Sequence, residues 1–451
     1  MAIHKVDQDP TELSLVSGFT HDVLHRKQDL LEFVYALQTT QGGCSVFLCS
    51  PWGNGKTFFV KTAQLILKRL NLQLDAVGSS AIDALIEPSM RKQSDINPIV
   101  PFYFNAWEND LYDEPLAALF ASMAAEFDLL TNEGSSRELI SSLGNIVDLI
   151  LSTGSLPALV KPAMNMISAL KGTDIIDSYK KRYELKDAIS NGLDQIKTET
   201  ANTIVIFIDE LDRCRPEFAL KLLEQTKHFL TRDDVILVFS VDLEQLAELV
   251  RGFYGQGFDG YGYLEKFYDV VIELREPDPR RYVNQSGLLD SPSVYDYMVA
   301  DILAVNKPTL RRCNRLIPIF RHMSDETFDG TLRHADEFAK TILAPLFLSI
   351  KHDDPSLWKD IRSGRHLEKV YEIGSRYPTF VEATEMYACH ALKVSRDQQP
   401  SEEECQQLIL DLCTLIFEGN KQSKRCSEAR GRVGGLWTSL DSHYFKTLQF
   451  L

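Results

Sequence analysis

The stretch CSVFLCSPWGNGKTFF (44–59) decides how this chain folds. It opens with an apolar run, passes through a turn that contains two glycines, and ends in apolar residues at helical spacing. The run predicts a short buried strand, and the spacing predicts an amphipathic helix over 56–70. The turn matches the pattern G-x-x-x-x-G-K-[ST], except that Ser50 stands at the first glycine.

A strand, a glycine turn and a helix N-terminus in this order predict a phosphate-binding loop, because backbone N–H groups converge there on an anion. Lys56 would contact the β- and γ-phosphates of a nucleotide, and Thr57 would offer its hydroxyl to Mg²⁺. The residues predicted to hold the nucleotide are Trp52, Gly53, Asn54, Gly55, Lys56, Thr57 and Phe58. The alternative is an ordinary strand-to-helix turn that contains Gly-Lys-Thr by coincidence.

The stretch NTIVIFIDE (202–210) predicts a second strand, which ends in two acids. At the carboxyl end of a parallel strand, Asp209 would hold Mg²⁺ through water, and Glu210 would orient or deprotonate an attacking water. The alternative is a strand that simply ends in solvated acids. The stretch DDVILVFSVD (233–242) predicts a neighbouring strand whose tip, Ser240 or Asp242, would sense the γ-phosphate, although strands often end in such residues.

Apolar strands that alternate with helices predict an α/β fold with a parallel sheet covered on both faces. We therefore expect a nucleotide-binding core in two parts, 1–110 and 201–280, with a helical insertion at 111–200 between them. The last part of the chain, 281–451, is predicted to be a helical lid or C-terminal domain.

Net charge, cysteine spacing and the apolar segments predict which partners the protein has and in which compartment it lies. A formal net charge of −16 over 451 residues disfavours nucleic acid, which attracts a surplus of Lys and Arg. The eight cysteines lack C-x-x-C spacing and no apolar signal segment opens the chain, so we expect reduced thiols and a cytoplasmic protein. The most apolar segment, 141–170, is interrupted by charges and prolines, so buried or amphipathic helices are expected rather than membrane association.

The segment GQGFDG (255–260) matches the dinucleotide pattern G-x-G-x-x-G. That pattern binds a dinucleotide only when it follows a strand and opens a helix. This segment follows a predicted helix, so we interpret it as a mobile loop.

Four segments together resemble the KAP family of P-loop NTPases: PWGNGKT (51–57), FNAWEND (104–110), FIDELDRCRPE (207–217) and YLEKFYD (263–269). The resemblance implies a P-loop core similar to AAA+ and STAND-type switch ATPases, with ATP and Mg²⁺ as cofactors. Several family members are linked to bacterial phage exclusion and defence or to membrane signalling complexes. The resemblance therefore implies partner proteins in a defence or signalling complex.

The resemblance also implies roles for residues beyond the loop. Asn105 and Trp107 would support the site, and either Asp212 or Arg213 would act across a subunit boundary if the protein forms a homo-oligomer. The segment NKPTLRRCNRL (306–316) is similar to an arginine-bearing segment that follows the family's core. There Arg311 or Arg312 would reach the γ-phosphate, because a guanidinium fork matches phosphate oxygens.

The chain departs from the family pattern in two places. Ser50 replaces a glycine, and we expect it to reshape the loop without abolishing phosphate binding. Many members carry transmembrane helices between the loop and the acidic strand, whereas 111–200 lacks convincing spans, which favours a soluble member.

Three functions stay open at this level. The first is a Mg²⁺-dependent ATPase whose hydrolysis resets a switch that assembles a partner. The second is a nucleotide-gated scaffold with negligible hydrolysis, and the third, disfavoured by the acidic charge, is a DNA-stimulated ATPase.

Overall fold

The computed structural model describes residues 9–71, 74, 98–130, 137–152, 172–277, 293–324, 335–393, 399–418 and 424–433. These residues form two compact units that divide between Glu276 and Pro277. The first unit contains the sheet, and the second is helical wherever it has regular structure.

The described residues of the N-terminal unit form five strands: β1 (Cys44–Cys49), β2 (Ile99–Asn105), β3 (Thr203–Asp209), β4 (Val235–Val241) and β5 (Val270–Glu273). They form a single parallel sheet in the order β2–β3–β4–β1–β5. The predicted α/β class with a parallel sheet is confirmed. Strands β1, β3 and β4 are apolar almost throughout because both faces of a parallel sheet are buried.

Successive residues of strands β1 to β4 enter different hydrophobic cores on the two faces of the sheet. Phe207 of β3, for example, packs in one core and Ile206 in the other. Helices of the N-terminal unit are α1 (Glu12–Thr20), α2 (Lys27–Thr39), α3 (Lys56–Leu70), α4 (Pro115–Leu130), α5 (Arg137–Ser152), α6 (Gly172–Thr200), α7 (Pro216–Phe229), α8 (Leu243–Tyr254) and α9 (Gly260–Leu264). The first three contribute to the core on the Phe207 face and α4–α8 to the core on the Ile206 face. The sheet is therefore covered on both sides, as the alternating pattern predicted.

Helix α3 has the bounds that the sequence predicted. The stretch DVLHRKQDLLEFVYAL (22–37) carries apolar residues at helical spacing, which predicts a helix there with Asp22 as its cap, but the helix begins later, at Lys27. Asp22 lies in the preceding turn with φ of 47°, a left-handed conformation that cannot continue a right-handed helix. Its carboxylate Oδ1 accepts the backbone N–H of Lys27 at 2.9 Å. Asp22 therefore fixes the approach to α2 instead of starting it.

Helices α4, α5 and α6 occupy the predicted insertion and share one core with the sheet. Buried side chains from all three, such as Phe120, Leu143 and Leu193, belong to that core. Within the described ranges, no helix has the length and apolar character that crossing a membrane requires. Of the apolar segment 141–170, residues 153–170 lie outside the described residues. The segment GQGFDG follows α8 and leads into the five-residue helix α9, so it does not open a strand–loop–helix unit.

The C-terminal unit contains α10 (Val294–Asn306), α11 (Leu310–Ser324), α12 (Ala335–Phe338), a π-helical turn (Ala339–Leu343), α13 (Ala344–Asp353), α14 (Pro355–Arg362), α15 (Glu368–Gly374), α16 (Pro378–Ala391), α17 (Glu402–Glu418) and α18 (Lys424–Val433). Its main core combines aliphatic with aromatic side chains, and there the Phe347 ring contacts the rings of Trp358 and Phe417. The predicted helical C-terminal region is confirmed.

Candidate functional site

The carboxyl ends of the three central strands meet at one edge of the sheet. In the parallel register Cys49 of β1 pairs with Val241 of β4, and Asp209 of β3 pairs with Ser240. On the other side of β3, Asn105 of β2 pairs with Asp209. The glycine loop after β1, the acids after β3 and the polar tip of β4 are therefore neighbours, as in the ligand crevices of open α/β sheets.

The loop after β1 has the backbone of an anion-binding turn. Gly53 and Gly55 have φ of 81° and 83°, a left-handed conformation that strongly favours glycine. Helix α3 begins directly after Gly55, so the N–H groups of its first turn, which lack helical partners, point towards the loop. Ser50 does not adopt a positive φ, and its N–H donates to the carbonyl of Val241 at 3.2 Å. The backbone at position 50 therefore accommodates serine without left-handed strain.

Lys56 is buried at the start of α3. Its Nζ donates to the carbonyl of Ser50 and, at 3.4 Å, to the carbonyl of Pro51. Burial lowers the pKa of Lys56, while the carboxylates of Asp212, Asp242 and Asp209 act in the opposite direction. The lysine thus lies among three carboxylates at the centre of the strand edge.

Asp209 is the most buried acid of the site, with 1% of its surface exposed. Its Oδ2 accepts the hydroxyl of Tyr103 at 3.0 Å, and its Oδ1 accepts the backbone N–H of Glu210 at 3.0 Å. Burial, followed by the charge of Asp209, raises the pKa of Tyr103 far above its usual range, so the phenol stays a donor. Tyr103 therefore fixes the orientation of the carboxylate that the sequence assigned to Mg²⁺.

Glu210 follows β3 in a left-handed conformation, with φ of 60°. Its Oε1 forms an ion pair of 2.5 Å with Nη1 of Arg213. Burial raises the pKa of Glu210, and Arg213 opposes this shift. The guanidinium of Arg213 lies 5.7 Å from the centre of the Trp107 ring, whose residue is half-exposed.

Asp212 ties the phosphate loop to the tip of β4. Its Oδ2 accepts the indole N–H of Trp52 at 2.7 Å and the backbone N–H of Asp242 at 2.7 Å. Burial raises the pKa of Asp212, while Lys56 opposes the shift. Asp212 thus makes these contacts within its own chain. The expected action of Asp212 or Arg213 across a subunit boundary stays a prediction.

The remaining predicted residues lie in two places. Ser240 is fully buried, and its hydroxyl has no hydrogen-bond partner among the described residues. Asp242 caps α8 by accepting the N–H of Gln245 at 3.3 Å. Arg311 and Arg312 lie on α11 of the C-terminal unit, where Arg311 is exposed and Arg312 pairs with Asp353. Their approach to a γ-phosphate stays a prediction.

The oxygen atoms of Thr57 and Asp209 fit a hard cation such as Mg²⁺, which in nucleotide sites takes one or two carboxylates together with phosphate oxygens. No group of three or more His, Cys, Asp or Glu side chains that could hold a metal is found within the residues described above. A cation at this edge would therefore depend on the phosphates of a nucleotide for most of its ligands.

Two residues of the site carry no signal in the motifs: Tyr103 and Arg26. Tyr103 falls inside an aromatic-rich strand, where the sequence gives no reason to single it out from Phe102 or Phe104. Arg26 stands before α2, far from the glycine loop in the sequence, and only the fold brings it to Asn54.

A model of the KAP family P-loop domain matches residues 29–290, which is more than half of the chain. The search of curated proteins finds no match. Among solved structures the chain is similar to the Aeropyrum pernix ORC2 protein (ADPNP–ADP complexes), with 13% identity over 94% of this chain and 84% of that chain. The TM-score of that comparison, 0.30, is too low to add to the fold described above.

Proposed function

Since the chain belongs to the KAP family of P-loop NTPases, we propose that it binds ATP with Mg²⁺ at the carboxyl edge of its sheet and hydrolyses it. The observation that carries the proposal is the meeting of a positive-φ glycine loop and a buried lysine with an ordered acidic pair. Lys56 starts α3, and Asp209 and Glu210 end β3 and follow it. Strand β4 lies between β1 and β3, so both half-sites face one crevice.

The loop N–H groups and the N-terminus of α3 would bind the phosphates, because both offer unpaired donors and positive potential. Lys56 already donates to carbonyls of the loop itself. A triphosphate offers stronger acceptors, since its oxygens carry full negative charge opposite the ammonium, whereas a carbonyl oxygen carries only a partial charge. The ammonium would therefore exchange loop carbonyls for phosphate oxygens.

Thr57 and Asp209 would hold Mg²⁺, which when bound supplies positive charge against the β- and γ-phosphate oxygens. Tyr103 and the N–H of Glu210 keep the Asp209 carboxylate in one orientation. Glu210 would orient the attacking water or accept its proton, and burial raises its pKa toward the range that suits a base.

Hydrolysis is proposed to reset a switch between the α/β unit and the helical C-terminal region, with Arg311 or Arg312 contacting the γ-phosphate. Moving a two-state equilibrium from 1:99 to 99:1 requires ATP to favour one state by about 5.5 kcal/mol. The output would be the assembly or activation of a partner protein in a bacterial anti-phage defence complex in the cytoplasm. This last step rests on the family resemblance.

One observation favours the second candidate, a nucleotide-gated scaffold with negligible hydrolysis. The Glu210 carboxylate is paired with Arg213 at 2.5 Å. An ion pair with Arg213 lowers the basicity of the Glu210 carboxylate and occupies one of its acceptor positions, which disfavours its action as a general base. The scaffold would bind ATP through the loop and turn it over only if another component displaced Arg213.

Phosphate release from the full chain with ATP and Mg²⁺ separates the two candidates. Lys56→Ala should abolish nucleotide binding, and Glu210→Gln should keep binding but slow release roughly 10²–10⁴-fold, the usual worth of a general base. Glu248→Gln on the exposed face of α8 is the matched control. Release by wild type that Glu210→Gln leaves unchanged would refute the role of Glu210, and ATP binding without release would favour the scaffold.

A further inference from the structure

Arg26 is a buried arginine that no motif includes. It is only 4% exposed, immediately before the first residue of α2. Its Nη1 donates to the carbonyl of Asn54 at 2.6 Å, and its Nε donates to the carbonyl of Arg275 at 2.7 Å. Its Nη2 donates to that same Arg275 carbonyl. One rigid guanidinium therefore joins two backbone segments.

Burying a guanidinium costs free energy unless its N–H donors are hydrogen-bonded. The hydrogen bonds of Arg26 to the two backbone carbonyls offset this cost. Burial lowers the pKa of Arg26 to about 10, while Asp29 opposes the shift. Asp29 itself pairs with Arg275 Nη2 at 3.0 Å. The arginine remains charged at neutral pH, and its guanidinium is turned toward main-chain oxygens.

The first of these oxygens belongs to the phosphate loop. Asn54 lies between Gly53 and Gly55, which both have positive φ. In a planar trans peptide the C=O and the following N–H point in opposite directions. By holding the carbonyl of Asn54, Arg26 fixes the direction of the Gly55 N–H on the other side of that peptide plane.

The second oxygen belongs to the segment that leaves the sheet, which we define as the exit segment (274–277). It follows β5, and the division between the two compact units falls within it, after Glu276. The N–H of Leu274 donates to the carbonyl of Cys49 at 2.9 Å, directly before the loop begins. The exit segment is therefore tied to the phosphate loop by Arg26 and to the end of β1 by Leu274.

We propose that Arg26 is a positioning residue that holds the phosphate loop ready for nucleotide and links loop occupancy to the exit segment. The inference rests on the proposed nucleotide binding. When phosphates fix the loop, the Asn54 carbonyl becomes a fixed acceptor, Arg26 is held in place, and the Arg275 carbonyl is held with it. A lysine cannot replace this link, because its single ammonium lacks the planar fork that spans both carbonyls.

Amide hydrogen exchange of the full chain, with and without ATP and Mg²⁺, tests the link. In wild type, nucleotide should slow exchange in the loop (50–57). It should also slow exchange at residues 274–276 about fivefold, the factor expected when about one hydrogen bond is stabilised against local opening. In Arg26→Lys the loop should still respond to saturating nucleotide, but the response at 274–276 should be lost. Arg275→Ala is the matched control, because it removes an exposed side chain and keeps the carbonyl that Arg26 binds.

The affinity for ATP gives a second readout. Arg26→Lys should bind ATP about tenfold more weakly, the factor for losing one hydrogen bond from a charged donor that orients the loop, whereas Arg275→Ala should bind like wild type. Slowed exchange at 50–57 with none at 274–276 in wild type would overturn the link and leave nucleotide binding intact. Persistence of the response in Arg26→Lys would overturn the role of Arg26. No response at 50–57 in wild type would refute the proposed function itself, and the inference with it.

Discussion

Replacing Tyr103 by phenylalanine removes one hydroxyl and keeps the ring. That hydroxyl is 3.0 Å from Oδ2 of Asp209, a carboxylate with 1% of its surface exposed. The Tyr103 ring also lies 4.6 Å from Nζ of Lys61, a contact that phenylalanine retains. The change therefore isolates a single hydrogen bond at the carboxylate proposed to hold Mg²⁺.

The size of the effect follows from the charge and burial of Asp209. A hydrogen bond to a charged group contributes about 1.5–3 kcal/mol, and an unsatisfied buried acceptor costs about 1–3 kcal/mol. Tyr103 is only half-buried and Asp209 keeps the N–H of Glu210, so we expect a loss of about 1–2 kcal/mol in the free energy of unfolding. Mutation of a group that orients a metal-binding carboxylate typically lowers metal affinity or activity by about 10–100-fold.

The assay is phosphate release at saturating ATP as Mg²⁺ is varied, together with urea unfolding of the same preparations. Tyr103→Phe should raise the half-saturating Mg²⁺ concentration about tenfold or more. Tyr297→Phe, which alters an exposed tyrosine of the C-terminal unit, is the control and should behave like wild type. A half-saturating Mg²⁺ concentration unchanged in Tyr103→Phe would refute the orienting role, even if stability falls as expected.

Three further predictions concern the same edge of the sheet. Gly55→Ala should destabilise the protein by about 1 kcal/mol in urea unfolding and weaken ATP binding, because Gly55 has φ of 83°. The control is Gly144→Ala within α5, where an added Cβ meets no atom within 4 Å. This change should instead stabilise the protein by about 0.5–1 kcal/mol. Burial raises the pKa of Asp212 above its unfolded value, so wild type loses stability as the pH rises through the folded pKa. Asp212→Asn lacks this loss. The urea midpoint of Asp212→Asn should therefore rise relative to that of wild type from acid to neutral pH. Turnover should fall with decreasing pH through a pKa above that of an ordinary glutamate, because burial raises the pKa of Glu210, and the limb should be absent from the residual activity of Glu210→Gln.

Local sequence patterns were sufficient for the main elements of the α/β unit. The apolar runs at β1, β3 and β4 predicted strands because a sheet covered on both faces requires apolar residues throughout. The Gly-Asn-Gly turn predicted the loop because both of its glycines take positive φ, which other residues adopt at a cost. The predicted start of α2 was wrong because a short acidic side chain such as that of Asp22 can either cap a helix or fix the turn that precedes it.

The residues that hold the site together became visible only in the tertiary structure. Tyr103 and Asp209 are 106 positions apart, Trp52 and Asp212 are 160 apart, and Arg26 and Arg275 are 249 apart. Such contacts depend on which strands and loops lie side by side, which no pattern within a single element encodes.

The sequence by itself therefore determined which functional groups are present: a phosphate loop with its lysine, and an acidic pair at a strand end. Only the tertiary structure decided how those groups are held, because hydrogen bonds between distant residues form after the strands are placed side by side. Asp209 illustrates the difference. Its position at the end of β3 is a local property, but its orientation by Tyr103 follows from the pairing of β2 with β3.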